Sequence, residues 1–430
     1  MRNADERGNT MARRVRKVPL SIFFVLLAVA LVLPLALQVF PRIFRLGNGH
    51  SADEAADSTI RDRDDDTVRI SLVMVGDILL HDNVNSCYLQ EDGSYDYTPL
   101  FAQVKDEISA ADVAIVNQET PLAGAEYGYV TQLLPMDASD NPSYMPVFNS
   151  PRAVADAEVA AGFDVVLKAE NHVFDQGYSG LASELAFWKE NYPEVAVLGV
   201  ADPTGESGQP DYANSVYVYE KDGFRVAILN FCHGINLVGG GYDEEVLSFI
   251  SDEKIISDVE KARAAKADMI VACPHWGSEY VTEEGSEQAH YAQVMADAGV
   301  DVIFGTHPHI LEPVKVIEGK DGHRCVCFYS NGNFITGTYG NDTMITGLSE
   351  AVLAKAPNGE CTIESATLLP AVVHGGYGPD MTTYLLRDYT DELAASSYNP
   401  NLTPEYATQF CAEVLGSEFD TETKVMQVRL

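Results

Sequence analysis

Residues 303–311 read Ile-Phe-Gly-Thr-His-Pro-His-Ile-Leu, an apolar run followed at once by two histidines. The run from Val300 to Phe304 is typical of a buried β-strand, and Gly305 ends it. Beyond the end of a strand, His307 and His309 can point at one position, as the ligands of a metal ion do. Two surface histidines are the alternative, because a His-x-His pair alone is a weak signal.

Four further strand-like runs also end in side chains that bind metals. They lead into Asp77, Glu119, Asn171-His172 and His275. Each of these residues, taken singly, has an ordinary explanation such as a turn cap or a packed ring. One explanation covers all of these residues together. The carboxyl ends of strands in α/β sheets gather at one edge, where ligands bind. The sequence therefore predicts that these residues meet at one site.

Strand-like and helical segments alternate along residues 68–374. Helices are predicted for Pro99–Ala110 and, after a capping Ser251, for the segment up to about Lys266. Two Lys-Asp-Gly turns, at 221–223 and 320–322, join pairs of strand-like runs and predict antiparallel hairpins. This pattern predicts an α/β fold, a layered sandwich whose sheets mix parallel and antiparallel strands.

An almost uninterrupted apolar run occupies residues 18–40, directly after four basic residues, Arg13, Arg14, Arg16 and Lys17. As a helix this run would be about 35 Å long, enough to cross the hydrocarbon core of a bilayer. The basic flank predicts a cytoplasmic N-terminus (1–17) and an extracytoplasmic remainder. A cleaved signal peptide is the alternative, although Gln38–Pro41 is a poor cleavage site. We therefore predict a single-pass anchor in the cell membrane, followed by an acidic linker at 41–67.

Charge is divided unequally along the chain. Residues 1–45 hold 8 of the 28 Lys and Arg but only 2 of the 64 Asp and Glu, so the remainder has 20 basic against 62 acidic residues, a net charge of −42. A net charge of this sign excludes a general binder of nucleic acid or of anionic lipid. It suits a surface that attracts divalent cations, and a solvated acidic face is the alternative.

The candidate ligands combine nitrogen and oxygen donors: Asp77, Glu119, Asn171, His275, His307 and His309. Such a set suits one or two divalent ions, zinc or manganese, and not an ion that prefers thiolates. A metal here could lower the pKa of bound water and polarise an ester or amide oxygen. His172, followed by Asp175, predicts an imidazole oriented by a carboxylate, acting as acid and base or as a charge stabiliser.

Six short motifs occur in order over roughly residues 68–340: Val75–Asp77, Asn117–Leu122, Glu170–Gly177, His275–Tyr280, Gly305–His309 and Tyr329–Phe334. Together they make the chain resemble the CapA family of capsule-synthesis proteins, the polyglutamate-capsule group with a calcineurin-like metallophosphatase fold. No single motif is specific, whereas the ordered set is.

The resemblance implies a four-layer αββα body and a role in the biosynthesis of poly-γ-glutamate or a related capsule polymer. At the matching positions it implies metal binding by the six candidate ligands and a catalytic role for His172. Two departures stand out. Asp77 is followed by Ile78 and Leu79 in place of the metallophosphatase Asp-x-His, and Asn331 occupies a position that is usually apolar in the family. His81 is a candidate replacement ligand, with a surface histidine as the alternative.

Two functions fit these observations. The first is a surface metallohydrolase acting on a phosphoester or on an amide-linked polymer. The second is a non-catalytic, membrane-anchored subunit that holds or exports an anionic capsule polymer. The expected partners are the capsule polymer or its precursor, the membrane, and other membrane subunits of capsule synthesis. The sequence assigns residues 68–374 to the predicted domain and residues 375–430 to an extension whose role it does not indicate.

The membrane prediction can be tested by protease accessibility. Protease added to intact cells is expected to degrade the chain beyond the predicted helix at 18–40, because the basic flank retains only the N-terminus in the cytoplasm. An epitope tag at each end, followed by immunoblotting, measures which part is cut. Protection of the C-terminal tag in intact cells, with cleavage after lysis, would contradict the orientation.

Overall fold

The computed structural model describes residues 66–129, 132–135, 144–236, 245–338, 340–375 and 380–430. The predicted N-terminus (1–17), the predicted membrane helix (18–40) and the linker up to residue 65 lie outside these ranges. Within them, no helix is long and apolar enough to cross a membrane. Eight helices are described: α1 (Asp82–Cys87), α2 (Lys105–Ala110), α3 (Ala153–Ala161), α4 (Gly177–Asn191), α5 (Asp252–Ala264), α6 (Ser286–Ala298), α7 (Asp391–Ser396) and α8 (Pro404–Leu415).

Eighteen strands accompany these helices in the described ranges. The first nine are β1 (Val68–Leu79), β2 (Val113–Gln118), β3 (Gln132–Pro135), β4 (Tyr144–Val147), β5 (Val165–Leu167), β6 (Ala196–Leu198), β7 (Tyr217–Lys221), β8 (Phe224–Cys232) and β9 (Met269–His275). The others are β10 (Val302–Phe304), β11 (Val314–Glu318), β12 (Arg324–Phe328), β13 (Asn333–Thr336), β14 (Ile345–Lys355), β15 (Cys361–His374), β16 (Thr382–Leu385), β17 (Phe419–Asp420) and β18 (Val425–Gln427). Apart from the β3–β4 pair, they form one larger and one smaller sheet.

The larger sheet is organised around β1. Its order is β17-β18-β15-β14-β1-β2-β5-β6, with β13 paired to β1 and β16 to β15. Strands β1, β2, β5, β6 and β13 pair in parallel, whereas β14, β15 and the C-terminal strands are antiparallel. The carboxyl ends of β1, β2 and β5 therefore lie at the same edge, and each leads into one of the predicted ligand segments.

The smaller sheet has the order β11-β12-β10-β9-β8-β7. Its four inner strands are parallel, and hairpins add the antiparallel strands β7 and β11 at the two edges. The first turn fits a two-residue hairpin, because Asp222 and Gly223 both have positive φ angles, 52° and 78°. The predicted hairpins, and the mixture of parallel and antiparallel pairs, are thereby confirmed.

Alternate side chains of the smaller sheet pack in opposite directions. Ala227, Leu229 and Phe231 of β8 belong to a core that includes buried residues of α5 and α6. Val226 and Ile228, on the opposite face, belong to the main core, which also contains the larger sheet. Burial on both faces explains why these strands are almost continuously apolar. The mixed α/β class predicted from the sequence is confirmed.

Close backbone contacts lie beside the ligand-bearing strand ends of both sheets. A Cβ atom on Gly76 would lie 1.9 Å from the carbonyl oxygen of Gly332, and one on Gly305 would lie 2.0 Å from that of Tyr329. Neither position can carry a side chain without moving the backbone. Asn331 joins the same region, since its Nδ2 donates to the Met74 carbonyl at 3.0 Å and its Oδ1 accepts from the Ser349 hydroxyl at 2.6 Å. Asn331, which departs from the family pattern, is therefore buried and joins two neighbouring strands through its hydrogen bonds.

The predicted helix over Pro99–Ala110 is wrong in its first half. The chain forms a 3₁₀ turn at Thr98–Phe101 and only then α2. Phe101 and Val104, on either side of the break, are both buried in the core. The helix after Ser251 is confirmed, and the Ser251 hydroxyl accepts from the Lys254 amide at 3.1 Å. The segment after residue 380 supplies β16–β18 to the larger sheet, which gives the predicted extension a structural place.

Glu312 is a buried carboxyl just beyond the His-x-His segment. It is 1% exposed, and the Gln288 side-chain nitrogen donates to its Oε2 at 2.6 Å. Burial raises the pKa of Glu312 to about 8, with the nearby Glu284 carboxylate adding to the effect and the Gln288 hydrogen bond opposing it. The folded protein therefore keeps a proton that the unfolded chain, with a glutamate pKa near ~4.3, releases at lower pH.

Stability is accordingly expected to fall as the pH rises from about 5 to about 8, by at most about 5 kcal/mol, at ~1.4 kcal/mol for each unit of pKa difference. Glu312→Gln should flatten this dependence, because the amide does not titrate. Urea denaturation in the presence of a chelator measures both proteins, with Glu318→Gln as an exposed control on the following strand. An equal slope in wild type and Glu312→Gln would contradict the assignment.

Candidate metal centre

The predicted ligands converge at the facing carboxyl ends of the two sheets. Asp77 lies in β1 and Glu119 directly follows β2, while the loop after β5 carries Asn171. The smaller sheet contributes His275 as the last residue of β9, and His307 and His309 follow β10. All six side chains are buried, with at most 5% of each residue exposed. The structure therefore brings together every residue that the sequence predicts as a ligand.

His275 lies at the centre of one group of donor atoms. Its Nε2 is 2.6 Å from Asn171 Oδ1, 3.1 Å from His307 Nδ1 and 3.6 Å from Glu119 Oε1. Atoms bound about 2.1 Å from a tetrahedral zinc ion lie about 3.4 Å from one another, so the separations from His307 and Glu119 suit ligands that share one ion. Asn171 Oδ1 lies at hydrogen-bonding distance from His275 Nε2. The other ring nitrogen, Nδ1, is 3.0 Å from the Thr306 hydroxyl, which holds the ring in place.

His309 lies in a second group that overlaps the first. Its Nδ1 is 3.2 Å from Asp77 Oδ2, and its Nε2 is 3.6 Å from Glu119 Oε1. The donor atoms of Asp77, Glu119 and His309 all lie within 4.8 Å of one another, as do those of Glu119, His275 and His307. Glu119 is common to both groups, so the residues offer room for one or two ions around one carboxylate.

The Glu119 carboxylate decides whether the residues fit a metal. It is fully buried, and neither of its oxygens has a hydrogen-bond partner within the described residues. Burial raises the pKa of Glu119 well above its ordinary value, and the Asp77 carboxylate raises it further. A buried carboxylate without donors is costly unless a cation compensates it. A divalent ion bound between Glu119 and the imidazoles removes that cost, and the donor set suits zinc or manganese.

The three imidazoles differ in their electrostatic environment. Burial, and then the neighbouring imidazoles, hold the pKa of His275 and of His307 well below the ordinary value, which favours the neutral form that binds metals. Burial acts in the same direction on His309, but the Asp77 carboxylate outweighs it and raises the pKa of His309. Protons therefore compete with a metal mainly at His309 and Glu119.

The backbone of the His-x-His segment is strained. His307 and His309 have φ angles of 99° and 58°, in a region that residues with a Cβ atom rarely adopt. Two hydrogen bonds maintain this conformation: the His307 amide donates to Asp77 Oδ2 at 3.2 Å, and the Pro308 carbonyl accepts from the Tyr280 amide at 2.7 Å. This backbone conformation directs both imidazoles towards Asp77 and Glu119.

His172 and Asp175 form a pair beside the candidate ligands. His172 Nδ1 is 2.8 Å from Asp175 Oδ2, and Nε2 is 3.1 Å from the Asn236 amide nitrogen. Because an amide nitrogen only donates, Nε2 acts as an acceptor and the proton lies on Nδ1, directed at Asp175. The Phe148 ring packs edge-on against the imidazole, with 4.7 Å between ring centroids. The predicted orientation by a carboxylate is present, while the catalytic role stays a prediction.

Sequence reasoning missed three residues of this region. His233 follows β8 and packs on His307 with 4.3 Å between ring centroids. Glu279 is exposed, and a carboxylate oxygen of it lies within 4.8 Å of donor atoms of His307 and His309. Asn117 donates from Nδ2 to Asp77 Oδ1 at 2.7 Å. The sequence contained a signal for His233, because this residue follows a strand-like run as the candidate ligands do.

His81 fits neither of the interpretations predicted for it. It belongs to none of the candidate metal groups within the described residues, and it is not fully exposed. Its ring packs edge-on against Phe148, with centroids 5.1 Å apart, and burial lowers its pKa to about 4. The Gly337 amide donates to its Nδ1 at 3.3 Å, so His81 joins the segments on either side of the site.

A model of the family described as bacterial capsule synthesis protein PGA_cap matches residues 71–338, which include every candidate ligand. The chain belongs to this family. The predicted resemblance is thereby confirmed. The matched range ends just beyond β13, so the strands from β14 onward lie outside it while completing the larger sheet.

Two curated proteins with capsule-related names are similar to this PGA_cap chain. The capsule biosynthesis protein CapA of Bacillus anthracis is 28% identical over 276 residues, covering 62% of this chain and 60% of that protein. The PGA biosynthesis protein CapA of Bacillus subtilis (strain 168) is 32% identical over 178 residues, covering 40% and 42%. The chain thus spans less than two thirds of the length of either relative that it matches.

Solved structures overlap the PGA_cap chain in part. The NAD nucleotidase of Haemophilus influenzae superimposes with a TM-score of 0.43 and 13% identity, covering 71% of this chain and 50% of that one. A 5'-nucleotidase precursor from Thermus thermophilus gives a TM-score of 0.43 and 16% identity, covering 81% and 59%.

Metal binding can be tested through Glu119 and His307. Wild type is expected to melt higher with manganese or zinc than with a chelator, since a ligand of the native state adds roughly 2.7 kcal/mol at a hundredfold excess over Kd. Glu119→Gln and His307→Ala should each lose most of this shift and most of the bound metal. Scanning calorimetry and elemental analysis measure the two effects, with the exposed His290→Ala as control.

Acidification is expected to weaken metal binding, because protons occupy Glu119 and His309 at higher pH than they would in water. An identical melting temperature with metal and with chelator, together with no bound metal, would remove the basis for the site.

Proposed function

We propose that this PGA_cap protein is a divalent-metal-dependent hydrolase of capsule synthesis, acting on a phosphoester or amide bond of a capsule polymer or its precursor. The observation that carries the proposal is the Glu119 carboxylate, buried among His275, His307 and His309 without a hydrogen-bond donor in the described part of the chain. A carboxyl group in this position is compensated either by a proton or by a cation, and a metal ion among the imidazoles would supply the cation. The names of the curated relatives support a capsule polymer as substrate, and they say nothing of the bond cleaved.

The proposed centre has residues for one or two ions, manganese or zinc, held by Asp77, Glu119, Asn171, His275, His307 and His309. A bound ion of this type lowers the pKa of coordinated water and polarises a phosphoryl or carbonyl oxygen. The chain itself contributes the neutral imidazoles of His275 and His307, whose lowered pKa values keep them available as ligands. The Asp77 carboxylate, held by the Asn117 amide, keeps the inner edge of the centre anionic.

His172 is the proposed group for proton transfer. Its Nδ1 proton is directed at Asp175, which fixes the tautomer and leaves Nε2, which accepts from the Asn236 amide, as the nitrogen that can take up a proton. The Phe148 ring and the Asp175 carboxylate hold the imidazole in one orientation. Nε2 can therefore accept a proton at one step and return it to a leaving group at the next, with the Asp175 carboxylate stabilising the imidazolium between them.

The proposal includes the predicted four-layer αββα metallophosphatase-like architecture and the extracytoplasmic, membrane-anchored location. The two sheets with ligands at their facing edges support the first. The apolar run at 18–40, with its basic flank, supports the second. Other membrane subunits of capsule synthesis would then be partners on the same surface.

Turnover of chromogenic substrates tests the reaction. The full-length chain, loaded with manganese or zinc, is expected to hydrolyse bis(p-nitrophenyl) phosphate or a γ-glutamyl p-nitroanilide. His172→Ala should lower kcat by about 10²–10⁴-fold with its metal content unchanged, because general acid–base catalysis contributes on that scale. His290→Ala, which removes an exposed imidazole paired with Asp252, is the control and should retain full activity.

Two outcomes would count against the proposal. Stoichiometric metal without turnover of either substrate class would favour the non-catalytic subunit that binds or exports the polymer. Equal kcat in wild type and His172→Ala would remove the role of His172 while leaving the metal centre in place.

A further inference from the structure

Lys168 is a fully buried lysine beneath the candidate metal centre. It directly follows β5, and none of its surface is exposed to solvent. A lysine in such a position is unusual, because burying an ammonium group is costly unless several partners surround it. Its partners belong to two separate loops of the site, and both of these loops carry candidate ligands.

The first loop is the one that carries Glu119. Lys168 Nζ donates to the carbonyl oxygen of Gln118 at 2.9 Å and to that of Thr120 at 3.3 Å. These two carbonyls belong to the residues on either side of Glu119, so the ammonium group fixes the main chain on both sides of that carboxylate. Neither bond reaches the Glu119 side chain, which is left facing the imidazoles without a donor in the described part of the chain.

The second loop carries Asn171 and His172. Lys168 Nζ also donates to Glu170 Oε1 at 3.1 Å, and the other oxygen of Glu170 accepts from the His172 amide. Asn171 lies between these two residues, so the loop is closed over the same ammonium group. One nitrogen atom thereby connects the main chain of Glu119 to the main chain of Asn171 and His172.

Helix α4 supplies the base of this arrangement. Glu184 lies on its buried face, 3.7 Å from Lys168 Nζ, and accepts from the Gln118 side-chain nitrogen at 2.6 Å. Burial disfavours the charged form of Lys168, but Glu184 and Glu170 outweigh it and raise the pKa, so the ammonium keeps its charge. Glu158 lies near this group but makes no hydrogen bond within the described residues.

We propose that Lys168 is a positioning residue of the metal centre, which sets the distance between Glu119 and the Asn171–His172 loop through hydrogen bonds to both loops. The inference rests on the proposed metal centre. Residues that hold ligands in place in this way typically contribute about 10–100-fold to metal affinity. The competing explanation is that Lys168 only balances the charge of Glu170 and Glu184, in which case any charge-balanced replacement would serve equally well.

A pair of variants of the full-length chain separates these explanations. Lys168→Met keeps the length of the side chain and removes its charge and its hydrogen bonds, which leaves two buried carboxylates unbalanced and endangers the fold. The double variant Lys168→Met/Glu184→Gln restores the wild-type net charge of this group, with Glu170 as its remaining carboxyl, and the amide introduced on α4 retains an oxygen to accept from Gln118. Glu158→Gln is the matched control, since it replaces a buried carboxyl close to Lys168 that makes no hydrogen bond to either loop within the described residues.

Isothermal titration with Mn²⁺ alone measures Kd, and melting in the presence of a chelator measures the fold without metal. The double variant is expected to melt close to wild type but to bind Mn²⁺ about 10–100-fold more weakly. Glu158→Gln should bind as wild type does. Wild-type affinity in the folded double variant would overturn the positioning role and leave the metal centre standing. A wild-type chain that binds no Mn²⁺ would overturn the metal centre and the inference together.

Discussion

The structure depends on one constraint, the burial of the Glu119 carboxylate away from every hydrogen-bond donor in the described part of the chain. A protein interior tolerates such a group only where a cation or a proton compensates it. The surroundings supply ligands in place of donors: two neutral imidazoles on the smaller sheet, and His309 held against Asp77. This arrangement is compatible with a protonated Glu119 carboxyl or with a carboxylate that binds a divalent metal.

This constraint explains why the two sheets meet as they do. Glu119 belongs to the larger sheet and the histidines to the smaller one, so the site exists only if the two edges are held in register. Gly76 and Gly305 allow backbone contacts that no side chain would permit, and Asn331 bridges β1 and β14 from the segment after β12. Close backbone packing thus lies beside the strand ends that carry the ligands, as preorganised sites require.

The sequence predicted the ligands that end a visible apolar run, and it failed where position depends on distant contacts. Asp77, Glu119 and His275 follow such runs, and the α/β rule places strand ends together. Glu279 lies near His307 and His309 beside the hydrogen bond from the Tyr280 amide to the Pro308 carbonyl, a distant contact that no local pattern encodes. In the sequence, Lys168 resembles an exposed lysine, because nothing local indicates that Glu184 on the buried face of α4 lies beside it. The break between the 3₁₀ turn at Thr98–Phe101 and α2 was also missed, and the burial of Phe101 and Val104 does not explain it, because residues three apart share one face of an unbroken helix.

The local charges around the site differ from the strongly negative net charge of the rest of the chain. The net charge of −42 on residues 46–430 repels a polyanion at long range, yet screening limits this repulsion to about 8 Å at physiological ionic strength. The same charge concentrates divalent cations near the surface. Beneath the site, Lys168 is neutralised by Glu170 and Glu184, so it offers no positive potential to a bound anion. Under the proposed function, a bound metal and His309, whose pKa is raised, would supply the attraction for an anionic substrate that Lys168 does not.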